Sequence, residues 1–230
     1  MFLDSEPRNR HSSLEYIGMY STMVIGRSTR RKQQALTTRQ LIFDTALALF
    51  QKKSYEKITI GDICRKAGIS TGAFYHHFKS KDQIVLEEYL RLDEYCNEVY
   101  ATLPQDILAM DRLILFSRIT LKRFTEMGVQ HLRAVYYNEI GPSKKKKFLA
   151  DEKRPIFKIL RQLVGDAQEK GQIRSDIDCT ILVDFIVKIN RGNIYDWILR
   201  GGGYDLEAAG IQLLTIFLHG ATPHNHPTGC

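Results

Sequence analysis

The chain has 230 residues, 43% of them hydrophobic and 26% charged, with 33 Lys and Arg against 26 Asp and Glu. That length supports a full-sized core without disulfide or metal staples, and apolar runs such as Leu113–Phe116 fall far short of the roughly 18 residues of a membrane span. No continuous apolar segment follows a basic start in the first thirty residues, so no secretory signal is expected and a cytoplasmic location is. Residues 1–82 hold 14 basic and 7 acidic side chains, whereas residues 83–230 hold 19 of each. The whole net charge of +7 therefore sits in the first third, either a basic module that meets nucleic acid or an anionic surface, joined to a neutral one, or a chance clustering of solvated Lys and Arg. Cys64, Cys96, Cys179 and Cys230 are far apart and form no CxxC, which excludes a zinc finger or a disulfide framework and predicts reduced thiols.

Residues 1–36 are polar, show no sustained period, and read as a disordered leader in which Met19 and Met23 are alternative starts. Arg27, Arg30, Arg31 and Lys32 form a basic arm there, either a reach into a DNA minor groove or a solvated tail. Thr37 or Thr38 is the expected N-cap of a first helix whose apolar face is Leu41/Ile42, Ala46, Leu49 and Phe50. Thr59, with Asp62 three residues on, predicts a capping box, and Gly68 stops the short helix that follows. Ser70 caps a second short helix, Thr71 to His77. Two short helices joined by Gly68-Ile69-Ser70 match a helix-turn-helix. Ser80 then caps a long amphipathic helix that runs towards Pro104.

The remainder reads as helix after helix: Ile107 to Met127, Val129 to Ile140, Phe148 to Lys170 with Pro155 in its first turn or as a kink, and Leu206 to His219. Ile181 to Leu199 is rich in β-branched residues and suits a strand on propensity, but its length and the Gly201-Gly202-Gly203 stop favour a helix. Lys144–Lys147 is a solvated charge run. The predicted fold is all-α. A helix-turn-helix three-helix domain spans 37–84, a larger helical domain spans 85–220, and a tail spans 221–230.

The helix from Thr71 to His77 is about 10 Å long and fits a DNA major groove end-on, with its N-terminal residues nearest the base edges. Gly72 and Ala73 remove bulk where backbone and groove approach. Thr71 offers a hydroxyl and a methyl to base edges. The hydroxyls of Ser70 and Thr59, at helix N-termini, suit phosphates, as do the charges of Lys79 and Lys81. Tyr75 and His76 present polar tips one turn on, although Tyr75 also fits as a core aromatic. Phe74 and Phe78 pack the helix onto its scaffold. His76 and His77 are adjacent, share no helix face and have no third ligand at zinc spacing, so no metal is expected. No nucleophile–base pattern or phosphate loop supports an enzyme, and the neutral module is superfluous for DNA packaging.

Over about Thr37 to Val85 the sequence resembles the TetR family of bacterial transcriptional regulators, the tetracycline-repressor type. The likeness is carried by Ile63, Ala67-Gly68-Ile69-Ser70, Gly72, Phe74-Tyr75, His77-Phe78 and Ser80-Lys81. Beyond residue 90 it is architectural, with Tyr195-Asp196-Trp197 and Gly201–Asp205 resembling the end of the family's regulatory domain. The resemblance implies a homodimeric repressor without catalytic residues or cofactor, bound to a palindromic double-stranded operator and released by a small-molecule effector. It makes His77 structural and His76 a DNA contact. It also places the dimer interface on Asp178–Leu199 and Leu206–His219, and an effector cavity among the middle helices. There Phe116, Phe124, Tyr136, Tyr137 and Trp197 are either wall or plain core, so no pocket residue is assigned. Thr71 departs from the pattern, because many members carry Lys at its position.

Overall fold

The computed structural model describes residues 30–140 and 148–223, and among these it contains nine helices and no strand. They are α1 (Arg30–Lys52), α2 (Ile60–Ala67), α3 (Thr71–His77), α4 (Lys81–Thr102), α5 (Ala109–Met127), α6 (Val129–Ile140), α7 (Pro155–Glu169), α8 (Cys179–Leu199) and α9 (Leu206–Gly220). A 3-10 turn, Tyr55–Lys57, lies between α1 and α2. The chain divides into two compact units, residues 1–41 and 42–230.

In the first unit the described part is the beginning of α1. The helix starts at Arg30 rather than at the expected cap. Thr37 and Thr38 sit inside it, their hydroxyls donating to the carbonyls of Gln33 and Gln34 at 3.0 and 2.9 Å. A threonine hydroxyl satisfied by the carbonyl one turn back is compatible with helix interior, so cap chemistry in the sequence misplaced this boundary. Arg30, Arg31 and Lys32 are helical. The rest of the leader, including Arg27, lies outside the described residues.

The second unit opens with Ile42, Phe43, Ala46 and Phe50, all buried at helical spacing. The caps follow the sequence signals. Thr59 and Asp62 form the reciprocal box, Ser70 accepts from Ala73 N, Ser80 from Gln83 N, and Asp205 from Ala208 N. α4 runs unbroken through the expected boundary at 84/85, so one rigid helix joins the helix-turn-helix to the bundle.

Within the bundle α5 packs on α7 and α9, α8 lies against α7 and α9, and α4 packs on α7. Pro155 stands at the first position of α7, where its missing N–H costs nothing, and no kink results. Arg154, just ahead of it, forms a buried two-bond pair with Asp93 of α4 (Nε–Oδ2 3.0 Å, Nη2–Oδ1 2.8 Å). α8 is a helix despite its β-branched content. Leu182, Val183, Ile186, Val187 and Ile194 are buried at three- and four-residue spacing, and packing overrides propensity. At Gly210 a Cβ would stand 2.5 Å from Leu121 Cδ1 and 2.8 Å from Asn193 Nδ2, so the glycine permits the close crossing of α9 on α5 and α8.

Candidate functional site

Gly68, at φ 68°, closes α2 in the left-handed region and turns the chain into α3. Phe74 and Phe78 are fully buried, with ring centroids 6.0 Å apart, and fix α3 to the unit from below. The opposite surface carries the residues singled out in the sequence. Thr59, Ser70, Thr71, Gly72, Tyr75, His76 and Lys79 are exposed and Ala73 is half-buried. Tyr75 is 55% exposed, so it is not a core aromatic. His76 and His77 stack edge to face at 5.0 Å, and no group of His, Cys, Asp or Glu able to hold a metal occurs among the described residues.

Two internal details bear on DNA contacts. A Cβ at Gly72 would meet only Ser70 Oγ, at an ordinary 3.8 Å, so nothing inside the protein requires glycine there. The Thr59 hydroxyl is engaged in the cap, donating to Asp62 Oδ2 at 2.7 Å while accepting from Asp62 N at 3.1 Å. Donation to the carboxylate by this hydroxyl and by the Thr59 backbone N–H, at 3.0 Å, holds the Asp62 carboxyl below the ordinary carboxylate range.

Lys81 does not face outwards with the others. Its Nζ donates to the carbonyls of Tyr55 and Ile58 at 2.7 and 2.9 Å and lies 4.1 Å from the centre of the Tyr55 ring. The Tyr55 hydroxyl donates in turn to Asp82, and burial and this bond raise its pKa. Burial also pulls the Lys81 pKa down, against the opposing pull of Asp82 and Glu56. This knot was missed in the sequence because its members are 26 and 27 residues apart and Tyr55 lies in a loop outside any periodic face. Tyr55 also faces Tyr137 of α6 at 6.3 Å, and Phe50 faces His131 of α6 at 6.5 Å.

The bundle holds a cavity of about 90 Å³ among α4, α5, α6, α7 and α8. Phe116, Phe124 and Tyr136 line it, whereas Tyr137 and Trp197 do not. Trp197 is buried and donates from Nε1 to Tyr204 O at 2.8 Å. Cys96 also lines the cavity, its thiol pushed up to about 12 by burial and by Asp93, and it is therefore a neutral packing group.

An apolar face is exposed on the last two helices: Ile181, Phe185 and Leu199 on α8, and Leu213 and Ile216 on α9. Phe185 meets Phe217 edge to face at 6.1 Å, which makes the faces continuous. Leu182, Ile186, Ile211, Leu214 and Leu218, on the same two helices, are buried in the chain's own core. Among the described residues no helix is long and apolar enough to cross a membrane.

The described residues thus hold a capped, glycine-closed helix-turn-helix on an all-helical body with a cavity. Residues 42–87 match the family described as bacterial regulatory proteins, tetR family. The probable acrEF/envCD operon repressor of Escherichia coli is 28% identical over 185 residues, 77% of this chain and 83% of that protein. The crystal structure of Thermus thermophilus FadR, a TetR-family repressor in complex with lauroyl-CoA, superposes with a TM-score of 0.62 at 20% identity, covering 84% and 99% of the two chains. The SmeT–triclosan complex superposes with a TM-score of 0.62 at 20% identity, covering 82% and 93%. Residues 42–87 are thus similar to the bacterial regulatory proteins of the tetR family, and the chain shares its fold with a TetR-family repressor.

Proposed function

We propose that the protein is a cytoplasmic, homodimeric, sequence-specific repressor without catalytic activity, released from a palindromic operator when a small molecule fills the cavity. The observation that carries this is the exposed N-terminal surface of α3, built on a rigid buried base and bare of side chain at Gly72, where internal packing makes no such demand. In this reading residues 37–84 bind DNA and 85–220 bind effector and partner, with 1–36 and 221–230 flanking them. Thr71, Gly72, Ala73, Tyr75 and His76 face the bases. Ser70, Thr59 and Lys79 meet phosphates, and Lys81 positions the element from inside. The absence of Lys at position 71 leaves more of the phosphate charge to Lys79 and its neighbours.

The effector acts through α6. Tyr136 lines the cavity and its hydroxyl donates to Arg191 O at 3.1 Å, while the next residue, Tyr137, faces Tyr55 of the Lys81–Asp82 knot. A ligand that moves Tyr136 therefore moves the support of the helix-turn-helix. It shifts the equilibrium only as far as it binds the released conformation more tightly. FadR and SmeT hold lauroyl-CoA and triclosan in their crystals, which supports a small-molecule effector here. The apolar faces of α8 and α9 pair about a two-fold axis.

The test is selection from a random duplex library near physiological salt. Enrichment of an inverted repeat, with half-sites roughly 34–36 Å apart, is expected. Retention without a two-fold motif would replace the reading with architectural binding, and no retention even at low salt would overturn it.

A further inference from the structure

Two guanidiniums and no carboxylate are found among the eighteen residues that line the cavity. Arg154 is neutralised, since Asp93 takes it in the two-bond pair described above. Arg191 is not. It is half-buried, donates to the Leu149 carbonyl, and stands 5.8 Å from the centre of the Phe157 ring. A carbonyl and a ring face stabilise a cation without cancelling its charge, and no described carboxylate lies within ion-pair distance of it. Burial pulls the Arg191 pKa down and the neighbouring Arg154 charge adds to that, against the weaker opposing pull of Tyr136, Tyr89 and Asp184. Beside it on α8, Asn190 lines the same cavity, and its Oδ1 is sealed from solvent without a partner. Rotating the amide by half a turn presents its NH2 instead. A half-buried charge and a buried amide oxygen left in this condition are each costly, and one ligand group could satisfy both.

We infer that the effector is a small organic carboxylate, its carboxylate held by Arg191 and Asn190 and its apolar body lying against Phe116, Phe124 and Leu160. The inference rests on the reading of the cavity as the effector site. A planar guanidinium matches a carboxylate in a two-bond fork that neither an alcohol nor a neutral amide reproduces. The cavity volume of about 90 Å³ suits a small apolar body behind the carboxylate. Benzoate and hexanoate represent that class.

Calorimetric titration of the full chain with benzoate, hexanoate, benzamide, hexanamide and lauroyl-CoA separates the possibilities. Both acids are expected to bind, each at least about tenfold tighter than its amide. Arg191→Met should abolish that preference and Arg191→Lys should restore part of it, with circular dichroism reporting folding. Should Arg191→Met fail to fold, the acid–amide comparison on the unaltered protein still decides. Amides that bind as tightly as acids, acids that do not bind, or binding of lauroyl-CoA alone would each overturn the inference. The outcome is separable from the regulator reading. Retention of duplex DNA without acid binding defeats only the carboxylate, and acid binding without DNA retention defeats only the regulator.

Discussion

Gly72 and Lys81 show how differently two residues of one motif are constrained. Gly72 lies in the first turn of α3, where alanine fits without a clash and has the better helix propensity by about 1 kcal/mol. Gly72→Ala should leave thermal stability unchanged or slightly raised and yet weaken DNA binding, as compared by melting and by fluorescence anisotropy. Unchanged affinity would mean that nothing approaches the backbone there. Lys79 and Lys81 are two residues apart and read alike in sequence as phosphate contacts. The structure separates them, because Lys81 satisfies two carbonyls of the loop that precedes α2. Lys81→Ala should cost about 1–3 kcal/mol in urea unfolding, since charge-assisted bonds to those carbonyls are lost. Lys79→Ala should leave stability alone and lower the slope of log K against log salt by about 1. If both variants lower the slope equally, Lys81 reaches phosphate as well. Residue types and spacing picked out an exposed surface of α3, but the direction of one lysine depended on a loop that no periodicity describes.

At the scale of elements, the helices with side-chain caps were the most legible. Thr59, Ser70, Ser80 and Asp205 each bond where their spacing indicated, because capping is a local transaction between a side chain and an N–H two or three residues away. Thr37 and Thr38 have the same chemistry but lie inside α1, and only the residues before them decide that. α8 carries strand-like content and is resolved by the neighbours that bury it. The cavity wall was legible only in part: Phe116, Phe124 and Tyr136 face it, while Tyr137 looks the other way, towards Tyr55. Spacing places residues on a helix but does not say which neighbour each side meets. In the proposed mechanism these neighbouring tyrosines let α6 couple the cavity to the helix-turn-helix. Tyr137→Ala should leave effector affinity within a few-fold and reduce the effector's release of DNA. Full release by the variant in an anisotropy titration would move the coupling elsewhere.

Across the whole molecule, one buried base sets a pH dependence. His131 is fully buried beside Phe50, its Nε2 without a partner, and burial together with the Arg123 charge pushes its pKa down to about 4. The unfolded chain binds a proton near pH 6.5 that the folded chain refuses until about pH 4. Its contribution is therefore intact above pH 6.5 and is lost as pH falls towards 4, on the order of 3 kcal/mol at most. Glu88, whose carboxyl burial pushes up, takes a proton more readily when folded and offsets part of that loss. Urea midpoints of His131→Gln between pH 4 and 6.5 should be flatter than those of the unaltered protein, and parallel curves would assign the dependence to other groups.

The two-fold assembly can be read directly on DNA. Ile216, 63% exposed on the apolar face of α9, should tolerate Glu in the isolated chain but not against a copy of itself. Sedimentation of a labelled duplex carrying the selected inverted repeat measures the central claim, that two copies of α3 read one operator. The unaltered protein should bind as two chains per duplex, while Gly72→Arg and Ile216→Glu lose the complex, the first as a dimer and the second as a monomer. One chain per duplex, or undiminished binding by Gly72→Arg, would contradict it.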